Sequence, residues 1–226
     1  MRANCKRIIT EGHGCVPVSV LTIGMMDNNC MIVSDGREEG APAMVVDPAG
    51  DAQAIIKALG WLKLEYIACT HNHNDHLIAL PELVEATGAK VVAHTADCAI
   101  IESGQPGYFG AWDSVAPVHV DVKVKDGDTI KLGSLEFRVI HTPGHTKGGM
   151  CLYLEGFDGK PGILFSGDTL FRGATGRVDF EGGSAKEMRA SLRTKLAPLP
   201  NDTIVFPGHE GLTTIGIERH RVIEAF

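Results

Sequence analysis

The chain has 226 residues, 44% hydrophobic and 22% charged, with a formal net charge of −7 and a pI near 5.8. That length supports one well-buried core, the composition excludes a disordered or membrane-embedded chain, and the acidic balance without a basic stripe argues against general nucleic-acid binding. No apolar run reaches membrane-spanning or signal-peptide length, and six scattered cysteines (Cys5, Cys15, Cys30, Cys69, Cys98, Cys151) without a CxxC pair fit reduced core thiols, so a cytoplasmic protein is expected.

Residues 18–24, 28–35 and 43–48 are rich in β-formers and are separated by Gly, Asn and Asp, which predicts three strands. Asp51 is placed to cap a helix through Leu59, with Ile55, Ile56 and Leu59 on one face. A strand over 64–69 leads into THNHNDHL at 70–77. Pro81 and Gly88 then bracket a short helix, and 90–93 reads as a strand. Residues 103–120, rich in Gly, Pro and aromatics, have no period and read as a long loop, a kind that is uncommon unless functional. From Val122 the run VKVKDGDTIKLGSLEFRVI alternates and turns at Asp126-Gly127 and Gly133, predicting consecutive antiparallel strands.

MCLYLE and GILFSGD read as buried strands. Ser184 and Glu187 form a capping box before a helix carrying Met188, Leu192 and Leu196, ended by Pro198. TIVFPGHE reads as the last strand, and an amphipathic helix closes the chain. No repeat, linker or low-complexity segment interrupts this order, so one domain over 1–226 is expected. Strands cluster in each half with helices between and after them, which predicts an α+β chain of two packed sheets with helices outside.

The chemistry concentrates at 70–77, where three histidines and an aspartate fall within six positions. Alternate residues of an extended segment share a face, so His71 and His73 point to one cation. Asp75 and His76, past a bend, point to a second, and Asn72 and Asn74 read as spacers. His145 in HTPGHT, Asp168 in FSGDTLF and His209 in PGHE each follow a strand-like run, the usual way a rigid scaffold presents a site. Imidazole and carboxylate donors together suit Zn, Fe or Mn.

Taken in order, THNHNDH, HTPGHT, GDTLF and GHE resemble the metallo-β-lactamase superfamily, and are most similar to its glyoxalase II (hydroxyacylglutathione hydrolase) branch. The resemblance implies an αββα sandwich. It assigns a first metal to His71, His73 and His145 and a second to Asp75, His76 and His209, with Asp168 bridging both; Asp75 and Asp168 are its catalytic carboxylates. His141 stays outside the ligand set, while His13, His94, His119 and His220 read as satisfied or surface residues. Asp47 matches a strand-end aspartate that orients a ligand histidine or caps a turn. Gly144 and Gly167 serve close backbone approach or simple turns, and Ser166 and Cys69 read as structural. Two divalent ions, zinc first with iron or manganese as alternatives, would activate water against a thioester or related ester carbonyl. The expected partner is therefore a small molecule. Arg177, in GATGRVDF, matches a basic residue that contacts glutathione's anionic groups. Only sixteen residues follow Glu210, so the helical C-terminal domain that completes the glutathione site of full-length glyoxalase II is expected to be absent. The alternatives are a persulfide dioxygenase with a single iron and a lactonase.

Overall fold

Two sheets stack face to face with helices on both outer surfaces, as expected. The computed structural model describes residues 6–9, 15–24, 26–107 and 110–226, so Cys5 and His13 lie outside the described residues. The first sheet runs β1 (Lys6–Ile9), β2 (Val18–Ile23), β3 (Asn28–Ser34), β4 (Pro42–Val46), β5 (Lys63–Cys69), β6 (Lys90–His94), β7 (Val122–Val124) in spatial order. It is antiparallel through β4 and parallel from β4 to β7. The second sheet contains β8 (Thr129–Leu132), β9 (Leu135–His141), β10 (Met150–Leu154), β11 (Ile163–Gly167), β12 (Ile204–Pro207) and β13 (Thr213–Thr214), ordered β13-β12-β11-β10-β9-β8. Parallel neighbours need crossovers, and helices supply them. α1 (Ala52–Leu59) joins β4 to β5, α2 (Leu80–Thr87) joins β5 to β6, and α3 (Cys98–Ser103) lies between β6 and β7. α4 (Ala185–Ala190), continued in wider i→i+5 turns over Ser191–Leu196, joins β11 to the parallel β12. α5 (Ile215–Glu218) is extended in the same way over Arg219–Ile223.

Period-two alternation distributes the strands' side chains between three apolar layers. In β3, Met31 and Val33 face the second sheet, where they meet Phe137, Leu152 and Phe165. Cys30 and Ile32 face α1 and α2, packing with Ile55, Leu80 and Leu83. All seven residues of β3 are consequently buried, which explains why it reads as a continuous apolar run. On the far side Cys151, Leu164 and Val205 pack against Met188, Leu192, Leu196 and Ile215. The caps follow the sequence: the Asp51 carboxylate accepts from the Ala54 N–H at 3.0 Å, Ser184 Oγ accepts from the Glu187 N–H at 3.2 Å, and Gly88 closes α2 in the left-handed conformation.

Three expectations need correction. β7 does not pair with β8; it pairs parallel to β6 in the first sheet, and the chain changes sheet at Asp126-Gly127. Alternation gives the inward face of a strand but carries no label for which sheet receives it. TIVFPGHE is not the last strand, because β13 returns antiparallel to β12 through two residues, too few to leave a period. The segment before 103 holds α3, and 103–120 is closed on itself by a Gln105–Val115 bridge.

Candidate metal centre

Every predicted ligand leaves the C-terminal end of a strand along one edge of the sandwich. His71 and His73 follow β5, Asp75 and His76 lie in the single 3₁₀ turn Asn74–His76, His145 follows β9, Asp168 follows β11 and His209 follows β12. Their donor atoms converge into two groups, His71–His73–His145 and Asp75–His76–His209, each with donor atoms within 4.8 Å of one another. Asp168 stands between them: Oδ1 is 3.4 Å from His76 Nε2, and Oδ2 is 3.3 Å from His145 Nε2 and 3.8 Å from His209 Nε2.

The ring nitrogens facing away from this centre are already engaged, which fixes those facing into it. His145 Nδ1 donates to the Arg177 carbonyl at 2.6 Å and His209 Nδ1 to the Met26 carbonyl at 3.1 Å. His76 Nδ1 donates to Asp47 Oδ2 at 3.1 Å, while His71 Nδ1 lies 3.0 Å from Thr70 Oγ1, whose hydroxyl donates to the same carboxylate oxygen at 2.7 Å. Each of these rings therefore turns Nε2 inward. His73 presents Nδ1 instead, 2.8 Å from His145 Nε2. Two of the inward atoms lack partners of their own: His71 Nε2 and Asp168 Oδ1 are buried without a hydrogen bond among the described residues. Acceptors converging on one another in a buried place fit a site for cations.

The charge balance agrees. Burial, with the neighbouring imidazoles adding to it, keeps His71 well below the ordinary histidine value, and burial with His145 and His76 takes His73 down to about 3. Burial opposes the charge on His76 too, but the carboxylates of Asp168, Asp75 and Asp47 outweigh it and push His76 up to about 10. Against burial, His76, His209 and the Asn28 amide hold Asp75 well below the usual carboxylate range; that amide donates to Asp75 Oδ2 at 2.8 Å. The carboxylates thus draw positive charge to His76 and His209, both raised, while His71 and His73, both lowered, stay neutral and able to ligate.

Asp47 takes the orienting role. It is fully buried with φ +54°, a strained backbone at a functional position, and its carboxylate receives Thr70 N–H, Thr70 Oγ–H and His76 Nδ1–H. Gly167, φ +47°, is needed because a Cβ there would collide with Thr70 Oγ1. Gly144, φ +140°, lets the HTPGHT loop lie against the backbone of Met188 in α4. Ser166 is buried and donates to the Leu170 carbonyl at 2.7 Å.

The asparagines of THNHNDHL are more than spacers. Asn74 Nδ2 donates to the carbonyls of Pro106 and Asp113, and the Asn72 carbonyl accepts from Gln105 Nε2 at 2.5 Å, so the 103–120 loop is fastened to the ligand turn. The sequence reading also passed over Asp97, buried at the start of α3. It accepts from Thr146 Oγ1 at 2.8 Å and Gly148 N–H at 2.6 Å and is hydrogen-bonded to Asn72, so one carboxylate joins the loop carrying His71 and His73 to the loop carrying His145. A lone acid in a segment without a readable period gave no signal. His141 stands apart from the centre: Nε2 donates to the Lys147 carbonyl at 2.9 Å and its ring stacks on His94. His119 and His220 lie beside Glu102 and Glu224.

A cavity of about 1050 Å³ opens onto the centre, lined by His73, Asp75, His145, Asp168 and His209 and walled by Met26, Ile78, Phe171 and Phe180. Arg177 also lines it, its guanidinium bonded to both carboxylate oxygens of Asp179.

Known proteins with this arrangement are recognisable in sequence and in fold. The chain is 38% identical over 206 residues to an uncharacterized protein of Aquifex aeolicus, covering 89% of this chain and 93% of that one. It is 30% identical over 207 residues to the hydroxyacylglutathione hydrolase GloC of Haemophilus influenzae, covering 89% and 94%. Among solved structures, the BLEG-1 B3 metallo-beta-lactamase superposes with a TM-score of 0.76 at 30% identity, over 90% of this chain and 96% of that one. A di-iron-bound form of TTHA1623 gives 0.73 at 31%, over 89% and 97%. ETHE1 from Myxococcus xanthus gives 0.67 at 25%, over 96% and 82%. The family profile for the metallo-beta-lactamase superfamily matches residues 24–209, from the end of β2 to the last histidine of the centre, and the chain belongs to that superfamily.

Proposed function

We propose that this protein is a dinuclear metal-dependent hydrolase that cleaves a small-molecule thioester of the hydroxyacylglutathione type, or a related ester. The observation that carries this reading is the position of Asp168, whose two carboxylate oxygens face two separate groups of donors at the floor of one cavity. In this reading His71, His73 and His145 would hold one ion and Asp75, His76 and His209 the other, with Asp168 available to both. Two such ions, when bound, lower the pKa of a coordinated water toward about 7 and polarise the substrate carbonyl. The chain's own residues fix the donors: Asp47 and Thr70 orient His71 and His76, and the Arg177 carbonyl orients His145. Asp75, braced by Asn28, accepts the proton given up by the attacking water. The water oxygen bonds to the carbonyl carbon, the C–S bond breaks with its electron pair on sulfur, the sulfur takes the proton held by Asp75, and thiol and, with the water's second proton lost to solvent, carboxylate are the products.

Likeness to the Haemophilus influenzae hydrolase supports the thioester, and the donor set accepts zinc, iron or manganese. The cytoplasm is the proposed place of action, and no described helix is long and apolar enough to cross a membrane. The test pairs elemental analysis with a panel of S-lactoylglutathione, other thioesters, lactones and glutathione persulfide. Two ions per chain and thioester hydrolysis are expected. A single iron with persulfide-dependent oxygen uptake and no hydrolysis would overturn the reading in favour of a persulfide dioxygenase.

A further inference from the structure

Residues 177–180 form a braced unit over one side of the centre. The Phe180 ring stands edge-on to His73 and His145, with centroids 5.5 and 6.3 Å away, and it is 43% exposed to the cavity and its mouth. The Arg177 guanidinium lies over that ring, 4.3 Å from its centroid. Asp179 in turn holds the guanidinium, accepting from Nε at 2.9 Å and Nη2 at 2.8 Å. The Arg177 carbonyl is the acceptor that orients His145, which ties the unit to the donors themselves.

Two consequences follow from this arrangement. One edge of the Arg177 guanidinium, Nε and Nη2, is taken by Asp179, whose carboxylate also offsets its charge, so Arg177 is weakened as an anchor for an anionic substrate group. Among the described residues lining the cavity Arg177 is the one Lys or Arg, while Asp27 and Glu210 line it as well, so outside the metal centre the walls offer little to a multiply anionic ligand. An aromatic ring set in a largely apolar wall, with a guanidinium over its other face, is suited to receive apolar surface.

Building on the thioester reading, we propose that Phe180 is a specificity-determining residue and that the preferred substrates are thioesters carrying an apolar group beside the scissile carbonyl, with Arg177 and Asp179 bracing the ring. The group sits on either the acyl or the thiol side.

The test measures kcat/KM on two homologous series: acetyl to hexanoyl thioesters of N-acetylcysteamine, and acetyl thioesters of ethanethiol to hexanethiol, with S-lactoylglutathione alongside. In the wild type, kcat/KM is expected to rise about tenfold or more along one series, carried mainly by KM, and the rising series identifies the side. Phe180→Ala flattens that rise, Phe180→Leu keeps part of it, and Arg177→Met weakens it. Phe180 is at the surface, so folding of the variants is checked by circular dichroism. Flat series in the wild type, or an Arg177→Met loss confined to S-lactoylglutathione, would overturn the role of Phe180 and restore Arg177 as a carboxylate anchor. If no thioester is turned over, the thioester reading itself falls, and the substrate preference with it.

Discussion

Asp168 concentrates the consequences of the site in one side chain. Its oxygens lie 3.4 Å from His76 and 3.3 Å from His145, so Asp168→Ala separates the two donor groups. Elemental analysis is expected to show the loss of at least one ion per chain, and hydrolysis is expected to fall by about 100-fold or more. His141→Ala is expected to retain its metal, because that ring is engaged by Lys147 and His94 and by no donor of the centre. Full metal occupancy in Asp168→Ala would remove the bridging role. Asp47 acts through others: Asp47→Asn keeps the shape but turns an amide toward a donor at Thr70 or His76, and about a 10- to 100-fold loss of metal affinity is expected. At this scale much was legible in the sequence. The six residues His71 to His76 carry their chemistry in their spacing, whereas the role of Asp47 depends on Thr70, 23 positions away, which only the parallel pairing of β4 and β5 brings within reach.

Strand ends deliver the ligands, but side chains from other elements hold the delivering loops in register. Asp97, at the start of α3, bonds Thr146, Gly148 and Asn72 and so couples the loop after β5 to the loop after β9. Asp97→Ala is expected to weaken binding of metal to chelator-stripped protein by about tenfold or more, with Asp97→Asn recovering part of the loss. Equal affinities for Asp97→Ala and wild type, measured by competition with a chromogenic chelator, would remove Asp97 from the support of the centre. The strands β2 to β6 and the capped helices α1, α2 and α4 were readable because period and caps are local properties. β7 was misassigned because Val122 and Val124 alternate equally well for either sheet. The asparagines at 72 and 74 passed as spacers because their partners Gln105, Pro106 and Asp113 lie in a loop without a pattern.

Across the whole molecule the two sheets meet through more than apolar side chains. His94 ends β6 in the first sheet, His141 ends β9 in the second, and their rings stack with centroids 3.9 Å apart. Burial, and after it the neighbouring His141, lowers His94 to about 4, and the Ala96 N–H donates to its Nδ1, which requires a neutral ring. Between pH 6.5 and about 4 the unfolded chain takes up a proton at His94 that the folded chain refuses, so the stability present above pH 6.5 is lost as pH falls through that window. Urea unfolding midpoints are expected to drop less steeply in that range for His94→Gln than for the wild type. Parallel curves would remove His94 from the account.

The four layers bring seven donors from four strand ends to one place, and that convergence is most directly tested by counting ions. Equilibrium dialysis of the chelator-stripped full chain against zinc is expected to saturate at two ions per chain, with Asp168→Ala saturating lower. Saturation of the wild-type chain at one ion or none would contradict a dinuclear centre.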